Sequence, residues 1–465
     1  MLTILDLPNE LLSSCFAYVS DSTPDVQNLR LVSRRFHDSS SPFLISEARV
    51  SFTTRSFSHL ELLANNPIFS KSIKKVTIDV SYYDSSLAAT RGMYALACVE
   101  TLFLDLRRAS NPHTAVGADR QVMNIAAQIM QHWHDIHEDQ FDDRYASKTQ
   151  KILLESFGVY QDLVRDQELI LETQCMRRLV RILEKLVILK SIVVEDFENI
   201  PAGNRWTQDE VSEARLKRNC LMPSPWQGTN KSQTTPPTDI LSGLFEELAK
   251  SIIRPTAFEI RLTPPSDLRC IHFTREQFRA MRETLVRTKI LSLQFLDVGI
   301  CYAGGEDYRF TADKRVLRDE SSKLCDFVKG FFSSSTPLDE LHLSLKGYAN
   351  LSLGYRRTFS FCDIFDSDYT PRCLPPKMTM CSVPFLLPEL CRFVEVHNYS
   401  LKWFGVDLIL LRECWKDALD VLRGLENLEH LEFVLPRDHI SNGSGKNPME
   451  MYNLRETQRN PLMPR

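Results

Sequence analysis

No apolar run in this 465-residue sequence approaches the roughly 18 residues that a membrane-crossing helix needs. Ile188–Leu189 and Ile192–Val194 are split by Lys190-Ser191, and Val406–Leu411 is interrupted by Asp407. There is no surplus of one charge either. Lys and Arg number 56 against 60 Asp and Glu, a formal net charge of −4. Without a broad basic field, non-specific binding to nucleic acid through its phosphates is not expected. The start, MLTILDLPNELL, has no basic stretch and meets Asp6 early, so no secretory signal is expected. The 12 cysteines include no Cys-x-x-Cys pair and no framework spacing. They are expected to be reduced thiols in cytoplasm or nucleus, and the sequons at Asn230, Asn350, Asn398 and Asn442 are expected to be chance matches.

The catalytic and cofactor signatures are missing as well. Gly304-Gly305 lacks the further glycines and the Lys-Ser/Thr of a phosphate loop. Gly443-Ser444-Gly445 does not have the spacing of a nucleophile elbow. His134 and His137 share helical spacing, but His132 does not join them and Glu138 completes no ligand set. Cys362, Cys373, Cys381 and Cys391 are too widely spaced for a zinc site, and Cys270-x-His272 stands alone. No catalytic residue, metal or cofactor is expected.

What is present is an ordinary globular composition, 43% hydrophobic and 25% charged. The length suggests about two to three domains and a core that needs no staple. The first segment reads as helical. Asp6 suits an N-cap and Pro8 a first turn. Leu7, Leu11, Leu12, Cys15, Phe16 and Val19 then fall on one stripe. Ser20–Pro24 forms a turn, and a second helix is expected from Asp25 to Phe36, with Val26, Leu29, Val32 and Phe36 in register. Ser39-Ser40-Ser41-Pro42 ends it. A module of roughly 40 residues is too small for a convincing core of its own, so its stripe should pack on the rest of the chain or on a partner.

Leu7-Pro8-Asn9-Glu10-Leu11-Leu12, Cys15-Phe16-Ala17-Tyr18-Val19 and Leu29-Arg30-Leu31-Val32-Ser33-Arg34-Arg35-Phe36 resemble an F-box over about residues 5–45. Cys15 stands where Ile or Leu is usual, and the Ser20–Pro24 loop is slightly long. The resemblance implies docking on the Skp-type adaptor of a cullin–RING (SCF-type) ubiquitin ligase. Leu7, Pro8, Leu11, Phe16, Val19, Val32 and Phe36 would supply the contact, with Glu10 and Ser33 capping or orienting helices. A plain helical hairpin packed on its own core is the alternative.

Beyond residue 45 an apolar-x-x-apolar-x-apolar pattern recurs. It appears at Ile73/Val76/Ile78, Val99/Leu102/Leu104, Leu189/Ile192/Val194, Ile290/Leu293/Phe295, Leu338/Leu341/Leu343 and Leu428/Leu431/Phe433. Leu401/Phe404/Val406 also fits, and Phe258/Ile260/Leu262 is a partial copy. Each reads as a short strand. Helical patterns at Thr173–Leu186, Asp239–Ile253, Thr274–Thr288, Ser321–Phe332 and Trp415–Leu422 precede most of them. The expected class is α/β: a small all-helical F-box followed by an irregular leucine-rich-repeat-like solenoid with helical insertions. The period is poor and the usual Asn or Cys after the strand is missing. A mixed α/β domain with a conventional sheet is the runner-up.

The expected organisation is 1–45 for the adaptor-binding module, 46–435 for the repeat domain and 436–465 for a poorly ordered tail. A helical insertion is placed at 119–187, with Val122–Ile136, Ile152–Leu171 and Met176–Leu186 amphipathic. Tyr160–Glu168 and Leu186–Asp196 resemble fungal F-box proteins with degenerate repeats. Mobile loops are expected at 219–238 and 357–388, the latter from Pro371, Pro375, Pro376, Pro384 and Pro388.

Residues between the apolar strand positions should point away from the core. That nominates Thr77, Asp79, Phe103, Asp105, Val193, Glu195, Glu259, Arg261, Gln294, His342, Ser344 and Glu432 as a face for a protein substrate. The expected function is non-catalytic substrate recognition in the ligase. An adaptor-binding scaffold without a degradation role, and an unrelated enzyme whose N-terminal hairpin mimics the motif, are the alternatives.

Overall fold

The computed structural model describes residues 4, 7–19, 23–109, 120–136, 142–197, 212–226, 236–265, 271–296, 314–332, 337–346, 360–364, 375–410 and 415–433. The chain opens with three short helices, α1 (Asn9–Ala17), α2 (Thr23–Val32) and α3 (Arg34–Ser40), and a 3-10 turn. Nine parallel strands follow among the described residues: β1 (Glu47–Ser51), β2 (Lys75–Asp79), β3 (Ser191–Glu195), β4 (Ala257–Leu262), β5 (Ile290–Phe295), β6 (Glu340–Ser344), β7 (Lys377–Phe385), β8 (Trp403–Leu410) and β9 (His430–Phe433). They lie in one sheet, in chain order, each beside its predecessor.

Parallel neighbours need a crossover, and every crossover contains helix. In chain order the helices are α4 (Thr54–Asn65), α5 (Ser85–Ala89), α6 (Arg91–Ala109), α7 (Arg120–Asp135), α8 (Lys148–Glu172) and α9 (Cys175–Leu183). Then come α10 (Glu213–Cys220), α11 (Asp239–Lys250), α12 (Arg275–Leu285), α13 (Lys314–Phe332), α14 (Phe361–Ile364), α15 (Leu387–His397) and α16 (Trp415–Leu422). Capping boxes from Ser147 with Gln150 and from Thr274 with Gln277 fix the starts of α8 and α12. Among the described residues no helix is long and apolar enough to cross a membrane.

The register explains the packing. Val76, Ile192, Phe258, Leu291, Leu341, Met378 and Phe404 form one ladder, and Ile78, Val194, Ile260, Leu293, Leu343, Met380 and Val406 another. All are fully buried under α4, α9, α11, α12, α13, α15 and α16. Burial of each such side chain is worth about 1.5–3 kcal/mol. The strand starts share one backbone device. The carbonyls of Ser46, Lys74, Lys190, Thr256, Lys289, Pro376 and Lys402 each accept two successive amides from the next strand.

A second core lies in α5–α8 and α10. Tyr94, Phe157 and Tyr160 pack at its centre, with the Tyr94 hydroxyl donating to the Cys220 carbonyl at 2.7 Å. Trp133 is buried and donates to the Thr149 carbonyl at 3.0 Å.

Several expectations change. Val99/Leu102/Leu104 is no strand: it lies inside α6. Tyr94, Ala95, Cys98 and Leu102 are buried there at helical offsets, and the apolar-x-x-apolar spacing fits a helix as well as a strand. The expected helix Asp25–Phe36 is two helices, broken at Ser33, whose side chain caps α3. The expected insertion 119–187 begins earlier, at α5, and α9 belongs to the main core.

The stretch 357–388 contains α14 and β7. Pro388 is placed where a missing amide is harmless, Pro376 stands where the other strand starts donate an amide to the preceding strand, and Pro371 lies outside the described residues. Pro376 ends just before β7, Pro384 follows a bulge at Ser382 (φ 58°), and Pro388 lies in the first turn of α15. In 219–238, Asn219, Cys220 and Trp226 are buried and Ser224 pairs with Tyr82, while 227–235 lies outside the described residues. The tail 436–465 lies outside them too.

Candidate functional site

The N-terminal module is built on Leu12, Phe16 and Phe36, which are buried together with Leu7, Leu29 and Phe43 packed around them. The Phe16 and Phe36 rings meet edge to face at 5.1 Å. Pro8 occupies the N-cap position of α1, and its carbonyl accepts the Leu11 and Leu12 amides. Arg35 ties the ends of the module together, donating to the Leu7 carbonyl at 2.5 Å and to Asn9 Oδ1 at 2.9 Å. Ser33 Oγ accepts the Phe36 amide at 3.2 Å, which sets the break that turns Phe36 inward. The module thus has a small core of its own.

That arrangement divides the expected contact residues. Phe16 and Phe36 are internal, Val19 and Ser33 are half-buried, and Leu7 is half-buried against the module core. Pro8, Glu10, Leu11 and Val32 face solvent. Among the described residues the Glu10 side chain caps no helix, and its carbonyl accepts Ser14 Oγ. Leu11 is 51% exposed, Val32 64%, and two residues not nominated from the sequence, Tyr18 and Leu31, are 91% and 85% exposed. Leu11 and exposed Cys15 on α1 and Tyr18 at its C-cap follow offsets of four and three, a second stripe beside the buried Leu12–Phe16 one. That spacing is the signal in the sequence that marks them.

The second candidate surface is the side of the sheet facing away from the helices. From β1 to β5 it is crossed by a polar network. Arg49 reaches Asp79 at 2.7 Å and Glu195 at 2.6 Å. Arg261 pairs with Glu259 at 2.8 Å and lies 3.8 Å from Glu195. Gln294 donates to Glu259 at 2.9 Å and to Ser292 at 3.0 Å. Burial raises the Glu195 carboxyl above its ordinary range, with Arg49 and Arg261 opposing the shift. Burial likewise lowers the His342 imidazole, against Glu259 and Glu340.

At the other end, Trp403 and His430 stack at 5.7 Å and 11°. Lys377 sits 5.1 Å from the Trp403 ring and pairs with Glu340 at 3.0 Å. Gly405 makes room for the indole, since a Cβ there would come within 2.7 Å of it.

Of the nominated face residues, Glu195, Gln294 and His342 share this surface with Thr77, Asp79, Glu259, Arg261 and Ser344, and Glu432 is exposed on β9. Val193 occupies the same side but is buried to 1%. Phe103 and Asp105 belong to α6 and are not on the sheet at all; Phe103 is 39% exposed. Arg49, Trp403 and His430 escape the sequence pattern, the first because β1 is short and carries Ala48 at a core position.

His132 hydrogen-bonds Thr149 Oγ1 at 3.0 Å, while His137 and Glu138 lie outside the described residues. Among the described residues no cluster of three or more His, Cys, Asp or Glu is placed to hold a metal.

One buried acid braces the ends of two interior strands. Asp196 follows β3 and accepts the Trp226 amide at 2.6 Å, the Thr263 amide at 2.8 Å and the Thr263 hydroxyl. Burial pushes its carboxyl up to about 7, and the three donors oppose the shift. Its role is structural, tying Trp226 to the ends of β3 and β4.

No curated protein and no solved structure matches the chain. The family model for the F-box domain matches residues 4–44, the same three helices and turn. An F-box domain indicates, in general, an adaptor role in a ubiquitin ligase, typically without catalysis of its own. With its own small core, an exposed apolar rim and this match over the same residues, the chain is an F-box protein.

Proposed function

We propose that the protein is the substrate-recognition subunit of an SCF-type cullin–RING ubiquitin ligase. Its F-box docks a Skp-type adaptor, and through it a cullin. The observation that carries this is the apolar rim of Leu11, Tyr18, Leu31 and Val32, exposed on a module that keeps Leu12, Phe16 and Phe36 for itself. A rim of that kind on so small a unit is the signature of an unfilled protein interface. F-box domains generally bind such an adaptor, which supports the assignment.

In this reading the nine-stranded domain is a leucine-rich-repeat-like solenoid. Its sequential strands, helical crossovers and repeated strand-start carbonyls support that. A protein substrate lies on the outer side of the sheet, against the Arg49–Glu195–Arg261 network and the Trp403–His430 shelf. Catalysis is by proximity: a substrate lysine is held near the charged ubiquitin-conjugating enzyme, and this chain transfers nothing itself. The reading places the protein in cytoplasm or nucleus.

Capture of a purified Skp-type adaptor by the full chain tests it. Leu11→Glu with Val32→Glu should abolish capture and leave the thermal melt unchanged. Unaltered capture overturns the docking assignment. If capture holds but no protein is stabilised when the chain is deleted from cells, the adaptor-binding scaffold without a degradation role is the correct alternative.

A further inference from the structure

The helical side of the sheet domain carries a cleft between α12 and α13, about 440 Å³ in volume. Its floor is aromatic: Phe273 lies 5.5 Å from Phe278. One end is closed where the Phe278 ring sits against Gly330, a contact so close that a Cβ at Gly330 would fall 2.2 Å from the ring. Arg275, Phe278 and Arg282 lie at offsets of three and seven on α12, and Lys323, Asp326 and Gly330 repeat those offsets on α13. Each set therefore turns one face to the cleft.

The charge here runs against the rest of the molecule. Arg275, Arg282, Lys323 and Lys329 line the cleft with one carboxylate, Asp326, in a chain whose formal net charge is −4. Arg275, Arg282 and Lys323 make no ion pair or hydrogen bond among the described residues, whereas neighbouring Arg279 is paired with Glu283 at 3.0 Å. Cations left unpaired beside aromatic surface are arranged for an anion that brings apolar bulk. Seven helical residues separate Arg275 from Arg282, about 10 Å along the axis. One small anion cannot span that distance; carboxylates spaced along a chain can.

We propose that this cleft docks an acidic protein segment carrying one bulky apolar side chain. The apolar side chain lies on Phe273 and Phe278, and Asp or Glu carboxylates on either side of it pair with Arg275, Arg282 and Lys323. A cleft of about 440 Å³ is of the size that takes a large side chain with its flanking backbone, so the partner is a short segment. The cleft lies on the helical side of the sheet, away from the proposed substrate face, and the inference does not rest on the F-box reading.

The test uses the full chain alone, with no adaptor present. The probe is a fluorescein-labelled twelve-residue peptide of Glu and Asp around a single central Phe, read by anisotropy. Binding is expected, weakening as salt rises. Arg282→Glu with Lys323→Glu should weaken it about ten-fold or more. Because Arg282 is exposed and Lys323 is only half-buried, the melt should not move; if it does, Arg282→Gln with Lys323→Gln gives the same readout without charge reversal and should show a smaller loss. Equal binding of the matching Lys peptide, or unchanged affinity in both variants, overturns the proposal. So does full displacement by millimolar inorganic phosphate, which would mean a simple anion site. Preference for vesicles containing anionic phospholipid over the peptide also overturns it, in favour of a membrane surface.

Discussion

The F-box and the sheet domain differ in how much of their apolar surface they can bury. In the F-box, Leu12, Phe16 and Phe36 are buried while Leu11, Tyr18, Leu31 and Val32 are left in solvent. In the sheet domain both ladders of strand side chains are fully buried, and the side turned away from the helices is neutralised by Arg49, Asp79, Glu195, Arg261 and Glu259. A sheet covered on one face by helices has room to put both its strand ladders inside, even though Leu62, Val187, Ile252 and Tyr399 at its helix and loop surfaces stay exposed. Three short helices have not, because surface grows relative to volume as a unit shrinks. What stays outside a small unit is then available for a partner.

The largest effect should come from the deeper core. Phe258→Ala removes a fully buried ring stacked on Phe245 at 5.1 Å, and should cost about 3–5 kcal/mol. The expected outcome is a lower melting temperature for the sheet domain with the F-box helices unchanged by hydrogen exchange. Phe16→Ala removes a similar ring and a similar free energy, but from a core of three buried residues. Hydrogen exchange should show α1–α3 opening locally while the main transition stays in place. If Phe16→Ala instead lowers the main transition as far as Phe258→Ala, the two regions are one cooperative unit and the comparison fails.

Asp196→Asn sits next, at about 2 kcal/mol, because an amide cannot accept all three hydrogen bonds and turns a donor toward the Trp226 amide. Trp226 is buried to 1%, so its fluorescence should shift to the red as the 221–226 segment loosens. An unshifted spectrum would show that other contacts hold the indole.

Two buried groups should give opposing pH dependences. Burial lowers His397 to about 4. A depressed folded value means its contribution is present above the unfolded value near 6.5 and is lost as pH falls from 6.5 toward 4. Asp196 is raised to about 7, so its contribution is present below about 3.8 and is lost as pH rises toward 7. Between pH 7 and 5 the two oppose each other, each by roughly 2 kcal/mol. In urea titrations at pH 7 and 5, His397→Leu should gain stability on acidification relative to wild type. An equal change in stability between pH 7 and 5 for the two proteins would mean that His397 takes up its proton over the same pH range folded as unfolded.

The smallest effect belongs to the rim. Leu31→Glu, at a position 85% exposed, should change stability by less than about 0.5 kcal/mol while weakening adaptor capture. A large loss of stability would show that the rim is part of the fold and not an open interface.

Much of the fold is legible in the order of the residues. The strands at Val76, Ile192, Phe258, Leu293, Leu341, Phe404 and Leu431 announce themselves by alternation, and α16 falls where its pattern puts it. A recurring Lys ahead of the strands, at Lys74, Lys190, Lys289 and Lys402, is a further signal of the same kind. α6 is not legible, because Val99, Leu102 and Leu104 satisfy strand and helix spacing alike. Only the packing of Val99 and Leu102 in one core with Tyr160 and Trp133 separates the two. β7 is hidden because Pro375, Pro376, Pro384 and Pro388 in and around it read as loop, yet the strand forms although Pro376 cannot donate the amide that the other strand starts supply.

The sequence by itself determined the F-box, the α/β class and which side chains alternate inward. Those depend on local periodicity and on short motifs whose residues are neighbours in the chain. Only the tertiary structure decided that Phe16 and Phe36 are internal while Leu11 and Leu31 are not, that Arg49 reaches Glu195, and that α12 and α13 set unpaired cations around an aromatic floor. Which side of a helix meets solvent, and which charges from distant segments meet each other, depends on how the crossovers stack. That is set by the shape of the whole core rather than by any stretch of chain.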